Sequence, residues 1–401
     1  MAKDRTIEVV GEVSAPPAEI YRMLTNSTHL REWLADWALA KPHEDGPVYF
    51  EWNDGNAATG RFTRLEPDKQ VAFTWRETDE PDHTHVEVEL TATASGTEVT
   101  VRHSGFAKGK ASKRARKALA QAWTSALENL ASVMATGEDL RFTRRPMLGI
   151  QVDEEIGPHQ AAERKLPVSH GIAVSAVVAG MGAEAAGLKA GDVLVRLGDA
   201  DVMDWGTLGA ALQPHRAGDT VEIQFYRDRQ EQTAAMELSA RPMPEVPNSA
   251  TALADYLRKM YAELNSELWG CFEGVSEEEA GRKPSPDEWS GKEVLAHLLD
   301  GERDSHGEIT ELILGRERLY DSGFGNSDLR VAVTAWSYPR VAEMLSALSH
   351  SQEQTLSLVS QLPAPFVARR SSFWRLAYNY TQTPDHNAEH LAQIRAALGK
   401  S

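Results

Sequence analysis

The apolar residues of this chain change their spacing twice, and one core cannot satisfy all the spacings at once. Up to about residue 140 they mostly alternate, as in half-buried strands. From 144 to 241 short alternating runs are cut by glycines. From about 250 to 401 they recur every three or four residues, as on one face of a helix. With 401 residues the chain also exceeds one ordinary core. The changes therefore read as boundaries of a multidomain α+β protein with modules at 1–140, 144–241 and 250–401. Between the second and third, Arg241-Pro-Met-Pro-Glu-Val-Pro-Asn-Ser249 is a linker stiffened by three prolines. The junction around Phe142 to Pro146 is shorter. The first two modules are thus expected in a fixed relation, with the third tethered.

Charge narrows the partners. There are 59 acidic and 42 basic residues, a formal net charge of −17, which repels a phosphate backbone and argues against nucleic acid. One cysteine, Cys271, cannot form an internal disulfide and reads as a buried structural thiol. Met1-Ala-Lys-Asp-Arg-Thr6 leads straight into an alternating strand without the apolar core of a signal peptide. No run approaches the roughly 20 apolar residues of a membrane span. A cytoplasmic protein with no membrane partner is expected.

In the first module, Thr6-Ile-Glu-Val-Val-Gly-Glu-Val13 predicts a strand, and Pro16 and Pro17 open a helix through Ile20, Tyr21 and Leu24. After Trp33 and Trp37 come strand-like runs at 48–52, 60–65, 70–75, 85–92 and 97–103. They are punctuated by Gly46, Gly55, Asp68, Pro81 and Gly96. A long helix follows, with Trp123, Leu127, Leu130 and Val133 on one face. Three stretches, Val13-Ser-Ala-Pro-Pro-Ala-Glu-Ile-Tyr21, Leu30-Arg-Glu-Trp-Leu34 and Ala122-Trp-Thr-Ser-Ala-Leu-Glu-Asn-Leu130 with Thr136-Gly-Glu-Asp139, carry a resemblance to the helix-grip, START-like (SRPBCC) superfamily. More closely, they resemble the bacterial relatives of the heat-shock ATPase activator. The resemblance implies an apolar pocket between sheet and helix, and Trp33, Phe73, Trp75 and Trp123 are its candidate lining. Aromatic stripes also serve simply as core. Lys108, Lys110, Lys113, Arg114, Arg116 and Lys117 form a basic cluster that reads as a solvated helix start, with an acidic partner or anionic ligand as the alternative.

In the second module, Met147-Leu-Gly-Ile-Gln-Val152 reads as a loop entering a strand, and Gly171 to Val178 as a strand. Ala186-Gly-Leu-Lys-Ala-Gly-Asp-Val-Leu194 reads as a short helix, a glycine turn and another strand. A helix over 204–213 places Trp205, Leu208 and Leu212 on one side, and strands at 220–227 and 232–238 close the sheet. This order and the glycine-bearing turn resemble a bacterial, protease-associated PDZ domain, a small β-sandwich or barrel. The resemblance places a carboxylate-binding loop at Met147, Leu148, Gly149 and Ile150. With Leu208 and Leu212, these residues would receive the apolar C-terminal side chain of a partner peptide. A PDZ fold also serves as a mere spacer.

In the third module, Leu253, Leu257, Tyr261, Leu264 and Leu268 predict one helix. A capping box at Ser290 and Glu293 starts a second. Pro339 sits at the first turn of a third, and Thr383-Pro384 starts a fourth. Four such helices favour a bundle. His386 and His390, four residues apart, share a face with Ile394. Two inward imidazoles are costly without partners, and a metal removes that cost. His297, after Val294 and Leu295, is the natural third ligand. Trp289-Ser-Gly-Lys-Glu-Val-Leu-Ala-His-Leu298 and Asp385-His-Asn-Ala-Glu-His-Leu-Ala-Gln-Ile394 look like the second and fourth helices of the DinB-like superfamily of up-down bundles. That resemblance maps the family's metal histidines onto His297, His386 and His390. Three imidazoles suit zinc, nickel or ferrous iron. Asp300 and either Glu389 or Gln393 are candidates to orient the ligands, or else simply solvated side chains.

Two functional classes follow. One is a modular binding protein with an apolar pocket, a peptide-binding module and a three-histidine metal site, in stress response or detoxification. The other, implied by the DinB-like resemblance, is a metal-dependent thiol S-transferase or isomerase that uses a low-molecular-weight thiol. No Ser/His/Asp triad signature, phosphate loop or nucleotide fingerprint is present in the sequence.

Overall fold

The computed structural model describes residues 5–53, 55–78, 82–317 and 327–400. Residues 1–4, Pro81 and the side chain of Lys110, named above, lie outside that description.

Strand β1 (Ile7–Val13) is followed by α1 (Pro17–Thr25) and α2 (Ser27–Trp33). A meander runs through β2 (Trp37–Ala40), β3 (Pro47–Glu51), β4 (Ala57–Glu66), β5 (Gln70–Glu77), β6 (Thr84–Ala92) and β7 (Thr97–Ser104). Then come α3 (Lys110–Ala135) and the single turn α4 (Leu140–Thr143). The strands form one antiparallel sheet in the order β1-β7-β6-β5-β4-β3-β2, with Ile7 opposite His103 and Val13 opposite Thr97. Their alternating residues supply one wall of the core, and Trp123, Leu127, Leu130 and Val133 of α3 supply the other. Among the described residues of the first two turns of α3, which carry the basic cluster except Lys108, none joins this core.

The second module contains β8 (Pro146–Met147), β9 (Ile150–Glu155), α5 (Pro158–Arg164), β10 (Ile172–Val177), α6 (Gly182–Ala185) and β11 (Val193–Leu197). It continues with β12 (Ala200–Asp201), α7 (Trp205–Leu212), β13 (Thr220–Arg227), β14 (Gln230–Glu237) and β15 (Ser239–Ala240). Its main sheet has the order β14-β13-β11-β10-β9, with β12 beside β11, and β15 pairs with β8. Strand β9 thus ends the ladder. Leu208 and Leu212 are buried, but Trp205 is 44% exposed, against the expectation that all three share the inner side. The helix begins at Trp205, capped by Asp204, so that side chain leaves the first turn before the buried face is established.

The third module contains α8 (Ala250–Phe272), α9 (Glu277–Ala280), α10 (Gly291–Leu314), α11 (Asp328–Ser337), α12 (Val341–Ser360), α13 (Ala364–Val367) and α14 (Arg370–Ala397). Helices α8, α10, α12 and α14 are the bundle. The Ser290–Glu293 capping box opens α10 as predicted. The predicted start at Thr383-Pro384 is corrected, because α14 begins at Arg370 and carries Pro384 inside it. Proline is costly within a helix. The buried run Phe373, Leu376, Ala377 and Tyr380 before it holds the helix together across the break. Pro339 likewise lies outside α12, which starts at Val341.

The bundle interior is not apolar throughout. One cluster gathers Leu264, Leu268, Leu295, Leu299, Met344 and Ile394, and another gathers Leu257, Ile309, Val359, Phe373 and Leu376. Around Tyr261, Asn265, Glu302, Gln352 and Thr355 lies a set of polar contacts. Tyr261 Oη donates to Glu302 Oε1 at 3.0 Å, Thr355 Oγ1 donates to the same carboxylate, and Asn265 Nδ2 donates to Gln352 Oε1 at 2.7 Å.

The third module does not hang free on its linker. It docks on the first. The Glu32 carboxylate of α2 is buried against the first turn of α14, accepting from Ser371 Oγ at 2.6 Å, from Ser372 Oγ, and from His29 Nδ1 at 3.1 Å. Burial pushes this carboxyl up, but His29 and the two serines outweigh it and hold it below the ordinary glutamate range. Around it, Glu317 pairs with Arg31 and Arg375, and Asn26 Nδ2 donates to the Gly315 carbonyl at 3.2 Å. The Arg370 guanidinium donates to the Ala135 carbonyl. Gly137 lies so close that a Cβ there would stand 2.5 Å from the Arg370 carbonyl.

Candidate functional site

Helix α10 presents His297, and α14 presents His386 and His390 one turn apart. The three ligand nitrogens lie within 4.8 Å of one another. His386 Nε2 and His390 Nε2 are 3.1 Å apart. Two imidazole nitrogens bound tetrahedrally at about 2.0–2.1 Å from one ion stand about 3.3 Å apart, so this pair fits a shared ion. His390 Nδ1 donates to Gln393 Oε1 at 3.0 Å, which places the proton on Nδ1 and leaves Nε2 with its lone pair toward His386. Burial, then the neighbouring His390, pushes His386 below the ordinary histidine range, favouring the neutral form that a metal needs. His297 is 9% exposed and Trp289 lies over it, with ring centroids 5.3 Å apart. Among the described residues, these are the one set of three His, Cys, Asp or Glu side chains gathered closely enough to hold an ion.

Of the three candidate orienting groups, Gln393 hydrogen-bonds to the triad, at His390 Nδ1. Glu389 is exposed and acts on His386 only through its charge. Asp300 is corrected. It is buried, accepts from Thr334 Oγ1 at 2.9 and 3.1 Å, and pairs with Arg303 and Arg330, facing α11 rather than the histidines. Trp289 has no role in the sequence expectations. It precedes the helix, so no helical spacing connects it with His297.

In the second module, Met147 pairs with Ser239, and Leu148 is buried with Leu208 and Leu212 in one cluster. Gly149 has φ +81°. The Leu148 carbonyl accepts from Ala183 N at 2.9 Å, and the Gly149 carbonyl accepts from Val178 N at 2.8 Å. In a trans peptide the N–H points opposite to the carbonyl. The N–H groups of Gly149 and Ile150 therefore both turn away from the body of the fold, toward the open edge of β9. Positive φ at Gly149 is what aims two successive N–H groups one way.

In the first module, Phe73, Trp75 and Trp123 belong to one aromatic network with Phe50, Phe62 and His103. Trp75 is 5.4 Å from Phe50 and 5.8 Å from Trp123. Trp33 is buried at the end of α2, where Nε1 donates to the Met23 carbonyl at 3.0 Å. His103, absent from the sequence expectations, is fully buried within this network. Trp123 Nε1 donates to its Nδ1 at 3.2 Å, so Nε2 carries the proton and donates to Thr84 Oγ1 at 2.7 Å. Burial, then His85, pushes its pKa down to about 4. Cys271 is buried near the end of α8.

Comparison with known proteins bears on all three modules. Residues 14–135 match the family described as activator of Hsp90 ATPase homolog 1-like protein, 146–238 the PDZ domain family, and 260–394 the DinB superfamily. The chain carries these modules in that order. Among curated proteins it is 38% identical over 112 residues to "Serine protease Do-like HtrA" of Lactococcus lactis subsp. cremoris (strain MG1363), covering 27% of this chain and 28% of that protein. It is 32% identical over 130 residues to "Probable periplasmic serine endoprotease DegP-like" of Marinomonas sp. (strain MWYL1), covering 32% of this chain and 28% of that one. The chain thus spans little more than a quarter of these relatives. A crystal structure of a Mesorhizobium loti protein matches with TM-score 0.31 and 26% identity, covering 33% of this chain and 97% of that one. No helix among the described residues is long and apolar enough to cross a membrane.

Proposed function

We propose that this protein is a modular binding protein whose third module holds one divalent transition metal at His297, His386 and His390, and whose second module captures free C-termini of other proteins. The observation that carries the metal reading is the convergence of three imidazoles from two helices, with Gln393 setting the tautomer of His390. Zinc, nickel and ferrous iron all suit the donor set. A bound ion of this kind polarises ligands and lowers the pKa of a bound water or thiol. The chain's own part is to supply three neutral nitrogens and to cover His297 with Trp289. Elemental analysis of the purified protein beside a His386→Ala/His390→Ala variant tests this. About one equivalent of metal in the parent and none in the variant is expected, and equal metal in both overturns it.

The peptide reading rests on the outward N–H groups of Gly149 and Ile150, the edge position of β9, and the apolar residues Leu148, Leu208 and Leu212 beside them. The PDZ family match at 146–238 supports it. In the first module, Trp33, Phe73, Trp75 and Trp123 remain the proposed lining for a small apolar ligand, and native mass spectrometry of freshly purified protein tests for one. We place the protein in the cytoplasm, where its single thiol stays reduced.

A second reading is favoured by the exposure of His386, which leaves one side of the triad open to a substrate. In it the third module is a metal-dependent thiol S-transferase or isomerase acting with a low-molecular-weight thiol. Metal-loaded protein that conjugates a small thiol to an electrophile, and loses this with His390→Ala, supports the reading. Absence of turnover removes it.

A further inference from the structure

Helix α11 is apolar on two opposite sides, and the bundle covers one of them. Toward α10, Val331 is buried, Thr334 Oγ1 donates to the Asp300 carboxylate at 2.9 Å, and Arg330 pairs with Asp304 at 2.6 Å. On the other side Leu329 is 75% exposed, Val333 52% and Trp336 84%. With the exposed Ala332 these stand at i, i+3, i+4 and i+7, the stripe of a helix that packs against another. A helix apolar all round belongs in an interior, yet this stripe faces outward.

Single apolar residues on a surface are ordinary, but three large ones on one face of a short helix form a patch. At ordinary side-chain sizes they expose about 400 Å², the scale of an interaction site. Two such patches together supply roughly half of the ~1,600 Å² in a standard interface. The backbone beneath is already held at both ends. Trp289 Nε1 donates to Asp328 Oδ1 at 3.0 Å, and Arg303 donates to Tyr338 Oη at 2.6 Å just past the last turn. Little ordering is therefore left for docking to impose.

Charge and shape select the occupant. A chain of net charge −17 repels its own copy over most of its surface. From Leu329 to Ala342, however, there is no acidic residue, and the charges are Arg330 and Arg340. Two copies can meet here without opposing carboxylates. The stripe is also self-complementary, with larger side chains at its ends and smaller ones, Ala332 and Val333, at its middle. An antiparallel copy, turned about a two-fold axis between Ala332 and Val333, sets Leu329 of each copy against Trp336 of the other. The smaller residues let the helices approach where they cross, and the larger ones fill the space where they splay. We propose that the outer face of α11 is the two-fold interface of a homodimer of this chain, an antiparallel helix pair anchored by Trp336.

Sedimentation velocity of the full chain from about 1 to 100 µM tests this, and a reversible monomer–dimer equilibrium is expected. Trp336→Glu and Leu329→Glu, both at exposed sites, should weaken the dimer by at least about 30-fold with unchanged circular dichroism, and Trp336→Phe should retain it. A second measurement does not depend on those variants. With Cys271 left in place, buried, Val333→Cys beside the axis should give a disulfide-linked dimer on mild oxidation, and Lys259→Cys on the exposed side of α8 should not. A monomer at every concentration overturns the proposal and leaves the stripe to a different partner. A dimer unaffected by Trp336→Glu, or one that Val333→Cys fails to link, overturns it as well.

Discussion

Gln393 acts on the triad through one hydrogen bond, and its effect is measurable. It accepts the Nδ1 proton of His390, fixing which nitrogen faces His386. Gln393→Leu removes that acceptor from an exposed site, where no core packing depends on it. Metal affinity is expected to fall by about 10- to 100-fold, read by competition with a chromophoric chelator. Unchanged affinity would mean that His390 needs no such anchor. His103 supports a second prediction. Its pKa is pushed down to about 4, whereas an unfolded histidine titrates near 6.5, so the unfolded chain binds more protons between those values. The stability of the first module is therefore full above about pH 6.5 and falls as the pH drops toward 4, by on the order of 3 kcal/mol. His103→Phe should flatten that slope in urea titrations across the window, and an unchanged slope would assign it to other groups. The gathering of His297, His386 and His390 was legible because an i, i+4 histidine pair shares one helical face with Ile394 and so turns toward a neighbouring helix. Asp300, open to either an orienting or a solvated role, takes neither, because α11 packs on that flank and engages it through Thr334 and Arg330. His103 sat unnoticed in an alternating strand, since nothing local says that Trp123 comes to meet it.

At the scale of elements, the polar contacts among α8, α10 and α12 raise the question of why a bundle keeps Glu302 inside. Burial pushes this carboxyl above its ordinary value, and the hydrogen bonds from Thr355 and Tyr261 and the charge of His306 only partly offset it. Burial, then the nearby charge of Glu302, pushes the Tyr380 hydroxyl of α14 up in turn. A carboxyl raised on folding binds its proton more readily in the native state. Its contribution is thus present below the unfolded value and lost as the pH rises through the folded one. Glu302→Gln keeps the shape without the charge. It is expected to raise the urea midpoint at pH 7.5 and leave it unchanged near pH 4, and a lower midpoint at pH 7.5 would show that the ionised form stabilises the bundle. Six of the seven strands of the first sheet and the four long helices were legible from period alone. The start of α14 was not. Thr383-Pro384 carries a genuine start signal, but the apolar residues from Phe373 to Tyr380 override it by packing. Helix α11 and strand β2 were missed because each is short and takes its shape from its neighbours.

For the whole molecule, a proline-stiffened linker describes only the local chain and says nothing of where its far end docks. Helix α14 carries two of the three proposed metal-binding histidines in its second half and, at its first turn, the two serines that hold Glu32 of α2. The first and third modules therefore share a buried, charge-centred junction, although the PDZ module separates them in sequence. Removing the carboxylate leaves both hydroxyls and His29 without their acceptor, and Gly137→Ala drives a Cβ into the Arg370 carbonyl at a backbone angle that favours glycine. If the junction forms a cooperative unit, calorimetry of the full chain shows the first and third modules melting in one transition, with the PDZ module apart. Glu32→Ala should split or lower that shared transition by about 2–4 kcal/mol while leaving the PDZ transition in place. Because the Glu32 carboxyl lies below its ordinary value, its contribution is present above the unfolded pKa and lost as the pH falls through the folded one, so acid should mimic the substitution. Separate melting of the two modules in the parent protein, unaffected by Glu32→Ala or Gly137→Ala, would reduce the junction to a resting contact and leave α14 to serve the bundle alone.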